Sequence, residues 1–184
     1  YLSIRIRMKE IFEKVKQMNT IIMAGQGLLP AEAAKNMQNR GDNVTFLTFT
    51  EKIANNLAHI ADDIHVMSIG QVGHILKFIK RSGIRNVVFA GKINKTILEE
   101  NLKFDAKALW MLANLKDRQE NTIMYAIIRE IEAMGVTIGS QLDALSHLVI
   151  KEGVYTKKKP SKALFEDVQF AYRKARGLAG LDIG

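Results

Sequence analysis

Two stretches carry glycines where a backbone could meet a phosphate. The first is Ile21-Ile22-Met23-Ala24-Gly25-Gln26-Gly27-Leu28-Leu29-Pro30, a short apolar run followed by two glycines and a proline that opens a helical pattern. The second is Asn86-Val87-Val88-Phe89-Ala90-Gly91-Lys92, which ends in the same Ala-Gly dipeptide and adds a lysine. Gly25 and Gly27 let the backbone turn sharply and let a ligand approach the main chain. Pro30 suits a first helical position, where its missing N–H has no partner to lose. The N–H groups of that helix start favour an anion by roughly 0.3–1 kcal/mol. Two readings stand side by side here: a phosphate cradle built on Gly25, Gln26, Gly27 and Leu29, or an ordinary strand–helix turn. A lone Gly-x-Gly does not separate them.

Positioning such a cradle takes alternating strands and helices. Thr20–Ala24 is almost wholly apolar, as a strand buried on both faces is. Pro30–Arg40 reads as a helix with Ala33, Ala34 and Met37 inward and Gly41 at its end. Strand Val44–Thr48, a short helix over Ile53–His59 and strand His65–Ser68 follow. The helix predicted over Gly70–Arg81 puts Val72, Ile75, Leu76 and Ile79 on one face and Lys77, Lys80 and Arg81 on the other. Asn86–Ala90 is a strand. Asp105–Leu115 and Asn121–Met134 are helices, and Val136–Ile138 is a strand. Gln141–His147 reads as a helical turn, Glu152–Pro160 as a basic loop, and Ser161 as the cap of a last helix with Leu164, Val168, Tyr172 and Ala175 in a stripe. Leu178–Gly184 reads as a small-residue tail. This alternation predicts an α/β, Rossmann-like, doubly wound and mostly parallel sheet with flanking helices. The expected organisation is a helical lead-in over 1–19, a Rossmann-like domain over 20–139, and a basic linker with the start of an incomplete C-terminal domain over 140–184.

In a doubly wound sheet the first strand and the strand after the crossover lie side by side, and ligands bind outside their carboxyl ends. Gly25-Gln26-Gly27 and Gly91-Lys92 are therefore expected to face each other across that crevice. The turn at Gly70 and Gln71 is expected at the same rim. The pattern argues against a dinucleotide site: Pro30 stands near the place of a third glycine, and no acidic residue ends the second strand. No Gly-Lys-Ser/Thr loop occurs. His59, His65, His74 and His147 show no metal-ligand spacing and read as surface or packing residues. Asp62-Asp63 reads as a turn signal. Phe104, Trp110, Met111 and Leu115 read as core.

The chain of 184 residues carries a net charge of +8 and no cysteine. Disulfides and thiolate metal sites are thereby excluded, which fits a reducing compartment. No apolar stretch reaches the ~18–20 residues that span a bilayer, and no signal peptide is visible. Residues 151–176 hold eight Lys/Arg against three Asp/Glu, so +5 of the charge sits there. Such an excess favours anionic partners: nucleic acid, phosphorylated metabolites or a phospholipid surface. Thr156 and Lys158, within the run before Pro160, are candidate phosphate contacts. Nucleic acid is the disfavoured partner, because no aromatics interleave with these lysines.

Several blocks in order resemble one family. They are Ala24–Pro30, Ile69–Lys80, Val87–Ile93, Glu152–Lys158 with Pro160-Ser161, and Ala175–Gly184. Together they resemble the LpxI type of UDP-2,3-diacylglucosamine pyrophosphatase, over residues 20–184. The resemblance implies a hydrolase of lipid A synthesis, with an N-terminal Rossmann-like domain and a C-terminal domain. Such an enzyme splits UDP-2,3-diacylglucosamine into UMP and 2,3-diacylglucosamine 1-phosphate with a divalent cation, Mg²⁺. It implies a cytoplasmic protein peripheral to the inner membrane, with the nucleotide lipid or its product as partner and homodimerisation left open. Family members continue beyond the position of Gly184, and the acidic catalytic motif is expected there. No catalytic residue or metal ligand is thus assigned in this chain, and the chain alone is expected to bind without efficient turnover. Asp182 matches a family position and is read as structural. Glu120-Asn121 and Thr96 depart from the family pattern. The alternative is a non-catalytic nucleotide- or phosphate-binding regulatory module.

Overall fold

The structure is a computed structural model and describes residues 18–61, 63–93, 103–115 and 120–179, the side chains of 120 and 121 excepted. The helical lead-in up to residue 17, Asp62, Thr96, Asp182 and the last part of the tail lie outside the described residues, and Asn19, expected to close the lead-in, opens the first strand instead. The elements in order are β1 (Asn19–Ala24), α1 (Leu29–Asn39), β2 (Asn43–Thr48), α2 (Glu51–Leu57), β3 (Ile64–Val66), α3 (Val72–Ser82) and β4 (Asn86–Ala90). Then come α4 (Ala106–Asn114), α5 (Glu120–Glu132), β5 (Thr137–Ile138), α6 (Gln141–Ala144), a 3₁₀ turn (Ser146–Leu148) and α7 (Lys162–Ala179). The chain divides into two compact units, Tyr1–Val149 and Ile150–Gly184.

The first unit is built on a parallel sheet with strand order β3-β2-β1-β4-β5. β1 is central and pairs with β2 on one side and β4 on the other. Ile21, Ile22 and Ala24 are fully buried, as are Phe46 and Leu47 of β2, because helices cover both faces of a parallel sheet. α1 lays Pro30, Ala33, Ala34 and Met37 on the sheet at helical spacing. α3 does the same with Val72, Ile75 and Ile79 and ends at Gly83 in the left-handed conformation (φ 69). At the amino edge the Asn86 side chain donates to Thr20 Oγ1 at 2.8 Å, which pins β4 to β1 where neither strand has begun its apolar run.

Several boundaries differ from the sequence expectation. α2 begins at Glu51 rather than Ile53, because Thr50 Oγ1 accepts from the Ile53 amide and caps the helix. β3 starts at Ile64 and ends at Val66, short of Ser68. The compact unit runs past Gly139 to Val149. Asn36 on α1 donates to the Ala144 carbonyl at 2.8 Å, and Ala144 and Leu145 are buried. Trp110 and Phe104 are not core: they are 58% and 46% exposed, whereas Met111 is buried. Helical spacing places Met111 inward on α4, and its neighbour Trp110 consequently faces out.

In the second unit, residues 150–161 are loop and α7 follows, with Ser161 Oγ accepting from the Leu164 amide at 3.2 Å. Leu178 and Ala179 belong to this helix rather than to a tail.

Phe46 is wholly buried against β1 and the covering helices, so Phe46→Ala leaves a cavity. We expect a loss of about 3–5 kcal/mol, read as a lower urea midpoint at unchanged slope.

Candidate functional site

The turns after β1 and β4 meet at the switch point. The amide of Gly25 donates to the Ala90 carbonyl at 2.8 Å. The amide of Gln26 donates to the Lys92 carbonyl at 2.8 Å, and the Lys92 amide returns a bond to the Gln26 carbonyl at 2.9 Å. Gln26 and Lys92 thus form a small antiparallel bridge on top of a parallel sheet. The expectation that these turns face one another across an open crevice is corrected: they are joined by backbone hydrogen bonds.

That junction explains two of the glycines without a ligand. A Cβ on Gly25 would stand 2.6 Å from the Lys92 carbonyl oxygen. A Cβ on Gly91 would stand 2.8 Å from the Gln26 carbonyl oxygen, and Gly91 also has φ +89. Gly27 differs, since its φ is +101 but the space around it is open. The N–H groups of Gly25, Gln26 and Lys92 are taken by carbonyls, so they are not available to an anion. α1 starts without a side-chain cap, Leu28 holding the N-cap position in helical conformation.

Below the junction lies a cavity of about 610 Å³. Met23, Phe49 and Phe89 come from the ends of the strands, Ile75 and Leu76 from α3, and Met111 and Leu112 from α4. Ile123, Met124 and Ile127 of α5 close it. Among the described lining residues Lys92 alone carries a charge, and it is exposed at the lip. A volume of this size is in the range of small-ligand sites. The described walls suit an apolar chain, with Lys92 as the charged residue among them.

Of the sequence candidates, Gly25, Gly70, Gly91 and Lys92 line this cavity, and Gln26 is tied to Lys92. Gly27 and Leu29 belong to the start of α1 and are not among its lining residues. Gln71 is folded back on its own turn: its amide donates to the Ser68 carbonyl and its Oε1 accepts from the Ser68 amide. Thr156 and Lys158 belong to the second unit, where Thr156 Oγ1 donates to the Lys158 carbonyl at 2.8 Å.

Two polar contacts hold the cavity walls. Asp105 caps α4 by accepting from the Ala108 amide at 2.9 Å, and also accepts from the His74 amide at 3.2 Å on α3. His74 Nδ1 lies 3.2 Å from the same carboxylate. Burial works to raise the Asp105 pKa, but the Ala108 amide and the His74 ring and amide outweigh it and hold the carboxyl below its usual value. Lys107 reaches Glu130 at 2.7 Å, joining α4 to α5, and lies 4.7 Å from the Trp110 ring centre. His65 and His147 likewise pair with carboxylates, Asp63 at 2.8 Å and Glu32 at 3.1 Å. These partners lie far apart in sequence for His74 and His147, which is why spacing did not reveal them. Among the described residues no group of three or more His, Asp or Glu converges to hold a metal ion.

The cavity itself was missed by sequence reasoning. Its signal was an excess of apolar residues over 104–127, with Met, Leu and Ile on both helices and no strand for them to cover. Periodicity assigns such residues to a core and does not say whether the core is filled.

Comparison with known proteins supplies a family. The family model of the LpxI N-terminal domain matches residues 19–148. The UDP-2,3-diacylglucosamine pyrophosphatase LpxI of Caulobacter vibrioides is 25% identical over 168 residues, covering 89% of this chain and 58% of that protein. The chain thus spans little more than half the length of that curated relative. Among solved structures, the Cj0485 dehydrogenase aligns with TM-score 0.40 and 16% identity, over 67% of this chain and 48% of that one.

Two outcomes test this geometry. Gly91→Ala should cost at least about 1–3 kcal/mol of unfolding free energy, and more than Gly27→Ala, which meets no atoms. Equal costs would show that the junction is not tight. Asp105→Ala should cost about 1 kcal/mol near neutral pH through loss of the cap. Because the folded-state pKa of Asp105 is lowered, its contribution is complete above the reference value of 3.8 and lost as pH falls through the folded value. Thermal melts of the two proteins should converge in acid.

Proposed function

The chain belongs to the family of the LpxI N-terminal domain, and from that premise we propose that it serves the hydrolysis of UDP-2,3-diacylglucosamine to UMP and 2,3-diacylglucosamine 1-phosphate. The observation that carries this reading is the apolar cavity at the carboxyl ends of β1 and β4 with Lys92 at its lip. A free nucleotide has nothing to fill that cavity. An acylated sugar phosphate has: a chain enters between α3, α4 and α5 while a phosphate stays at the mouth beside Lys92. The cavity therefore favours the amphiphile over the non-catalytic nucleotide-binding module, which requires no apolar space.

The resemblance also implies a divalent cation. The described residues offer no ligand set for one, so no chemical step is derived through it, and no catalytic group is assigned. The part argued from this chain is binding and orientation. Burial of the acyl chain holds the amphiphile, and Lys92 adds a charge contact of about 0.2–1 kcal/mol at an exposed position. We further propose that this work takes place in the cytoplasm at the inner-membrane surface. No described helix is long and apolar enough to cross a membrane.

Titration with 2,3-diacylglucosamine 1-phosphates of graded chain length tests the reading. Each buried methylene contributes about 0.8 kcal/mol, so removing two should weaken binding roughly 15-fold. Leu112→Glu, which sets a carboxylate in the apolar wall, should weaken binding by roughly tenfold or more. Lys92→Ala should weaken the phosphorylated ligand more than its dephosphorylated form. Chain-length-independent binding, with UMP alone bound as tightly as the lipid, would favour the regulatory module instead.

A further inference from the structure

The cavity of the first unit ends on a layer of packed side chains, and the step from open wall to filled core recurs on each of four elements that reach it. On β1 and β4 the paired residues Met23 and Phe89 line the cavity. The pair two positions back on the same face, Ile21 and Val87, is wholly buried. α3 starts at the carboxyl edge of the sheet and runs down from it. Its Leu76 lines the cavity, and Ile79, one turn on, is wholly buried. α5 descends in the same direction, because it leads into β5, whose Thr137 lies opposite Asn86 at the amino edge. Its Ile127 lines the cavity, and Ile131, one turn on, is wholly buried. Leu76 and Ile127 stand on the boundary itself. Each packs on the sheet core and also on the separate cluster of Val72, Ala108 and Met111. Both are only partly buried, as residues on a cavity wall are.

We propose that Ile127, backed by Leu76, is the floor on which the end of an acyl chain stops, and that it sets the chain length the cavity accepts. The inference rests on the reading of the cavity as an acyl-chain site. Lys92 stands at the lip, so an amphiphile held there by its phosphate sends its methyl end toward the floor. The layer below is packed and resists added volume. A chain too long for the space therefore leaves its surplus carbons in water. Affinity climbs about fourfold per methylene while the chain still fills apolar space, and it stops climbing when the chain meets Ile127. A smaller residue at 127 deepens the cavity toward Ile131, since a core relaxes only partly around a truncated side chain. A larger one makes it shallower.

Titration of the full chain with 2,3-diacylglucosamine 1-phosphates, lengthened one methylene at a time, tests this. For the unsubstituted protein the affinity should rise with chain length and then break to a plateau. Ile127→Ala should move that break to chains about three methylenes longer. Ile127→Phe should move it to shorter chains and weaken the longest well-bound ligand about 4- to 15-fold. Urea unfolding checks that each variant is folded, and the milder Ile127→Val, which should move the break by about one methylene, serves where Ile127→Ala does not fold. Ile93→Ala, beside the lip, should weaken every chain length and leave the break in place. A break that stays put in folded Ile127 variants overturns the floor and leaves the acyl-chain site standing. So does a break that Ile93→Ala moves equally. Affinity without any dependence on chain length in the unsubstituted protein overturns the acyl-chain site and the floor with it.

Discussion

The bridge between Gln26 and Lys92 is the constraint on which the first unit turns. β1 and β4 are neighbours in a parallel sheet, so their chains leave the sheet at the same edge. The two turns could have splayed apart, as they do where a cofactor lies between them. Instead, three backbone hydrogen bonds draw them together, and the close approach excludes a side chain at Gly25 and at Gly91. One consequence is chemical. The amides that might have cradled a phosphate are used to join the turns. The other is spatial. With the turns joined above, the space between the strand ends and helices α3, α4 and α5 remains as an apolar cavity, with Lys92 fixed at its lip.

This arrangement separates two tasks that a phosphorylated amphiphile requires. In the proposed reading, affinity would come from the apolar chamber, where area removed from water sets the strength. Orientation would come from Lys92, an exposed cation that would meet the phosphate and contribute little energy but a definite direction. The walls need holding for this to work. Asp105 binds α4 to α3 through amide and ring contacts, and Lys107 binds α4 to α5 through Glu130. Both lie outside the cavity and shape it through the helices that they join.

Much of the frame was legible in the sequence. Strand Asn86–Ala90 was read to the residue, because an apolar run between Arg85 and a glycine turn leaves little choice. The inward faces of α1 and α3 followed from spacing alone, and the meeting of Gly25 with Gly91 followed from doubly wound topology. What those glycines do was not legible. A turn glycine that accommodates another backbone has the same signature as one that accommodates a ligand. The cavity was hidden for a related reason: apolar periodicity marks a buried face but not whether its partner fills the space. Trp110 was misplaced because neighbouring positions on a helix point in different directions, and Met111 took the inward one. The pairing of His74 with Asp105 depends on tertiary distance across 31 positions, and no local spacing encodes it.

The central claim is that the cavity beneath the Gln26–Lys92 bridge holds an acyl chain with its phosphate at the lip. An experimental structure of the chain with 2,3-diacylglucosamine 1-phosphate tests it most directly. The account predicts an acyl chain between Ile75, Met111 and Ile127, with the sugar phosphate within reach of the Lys92 ammonium and the bridge intact. A ligand bound elsewhere, or a cavity filled by its own side chains while the lipid is bound, would contradict it.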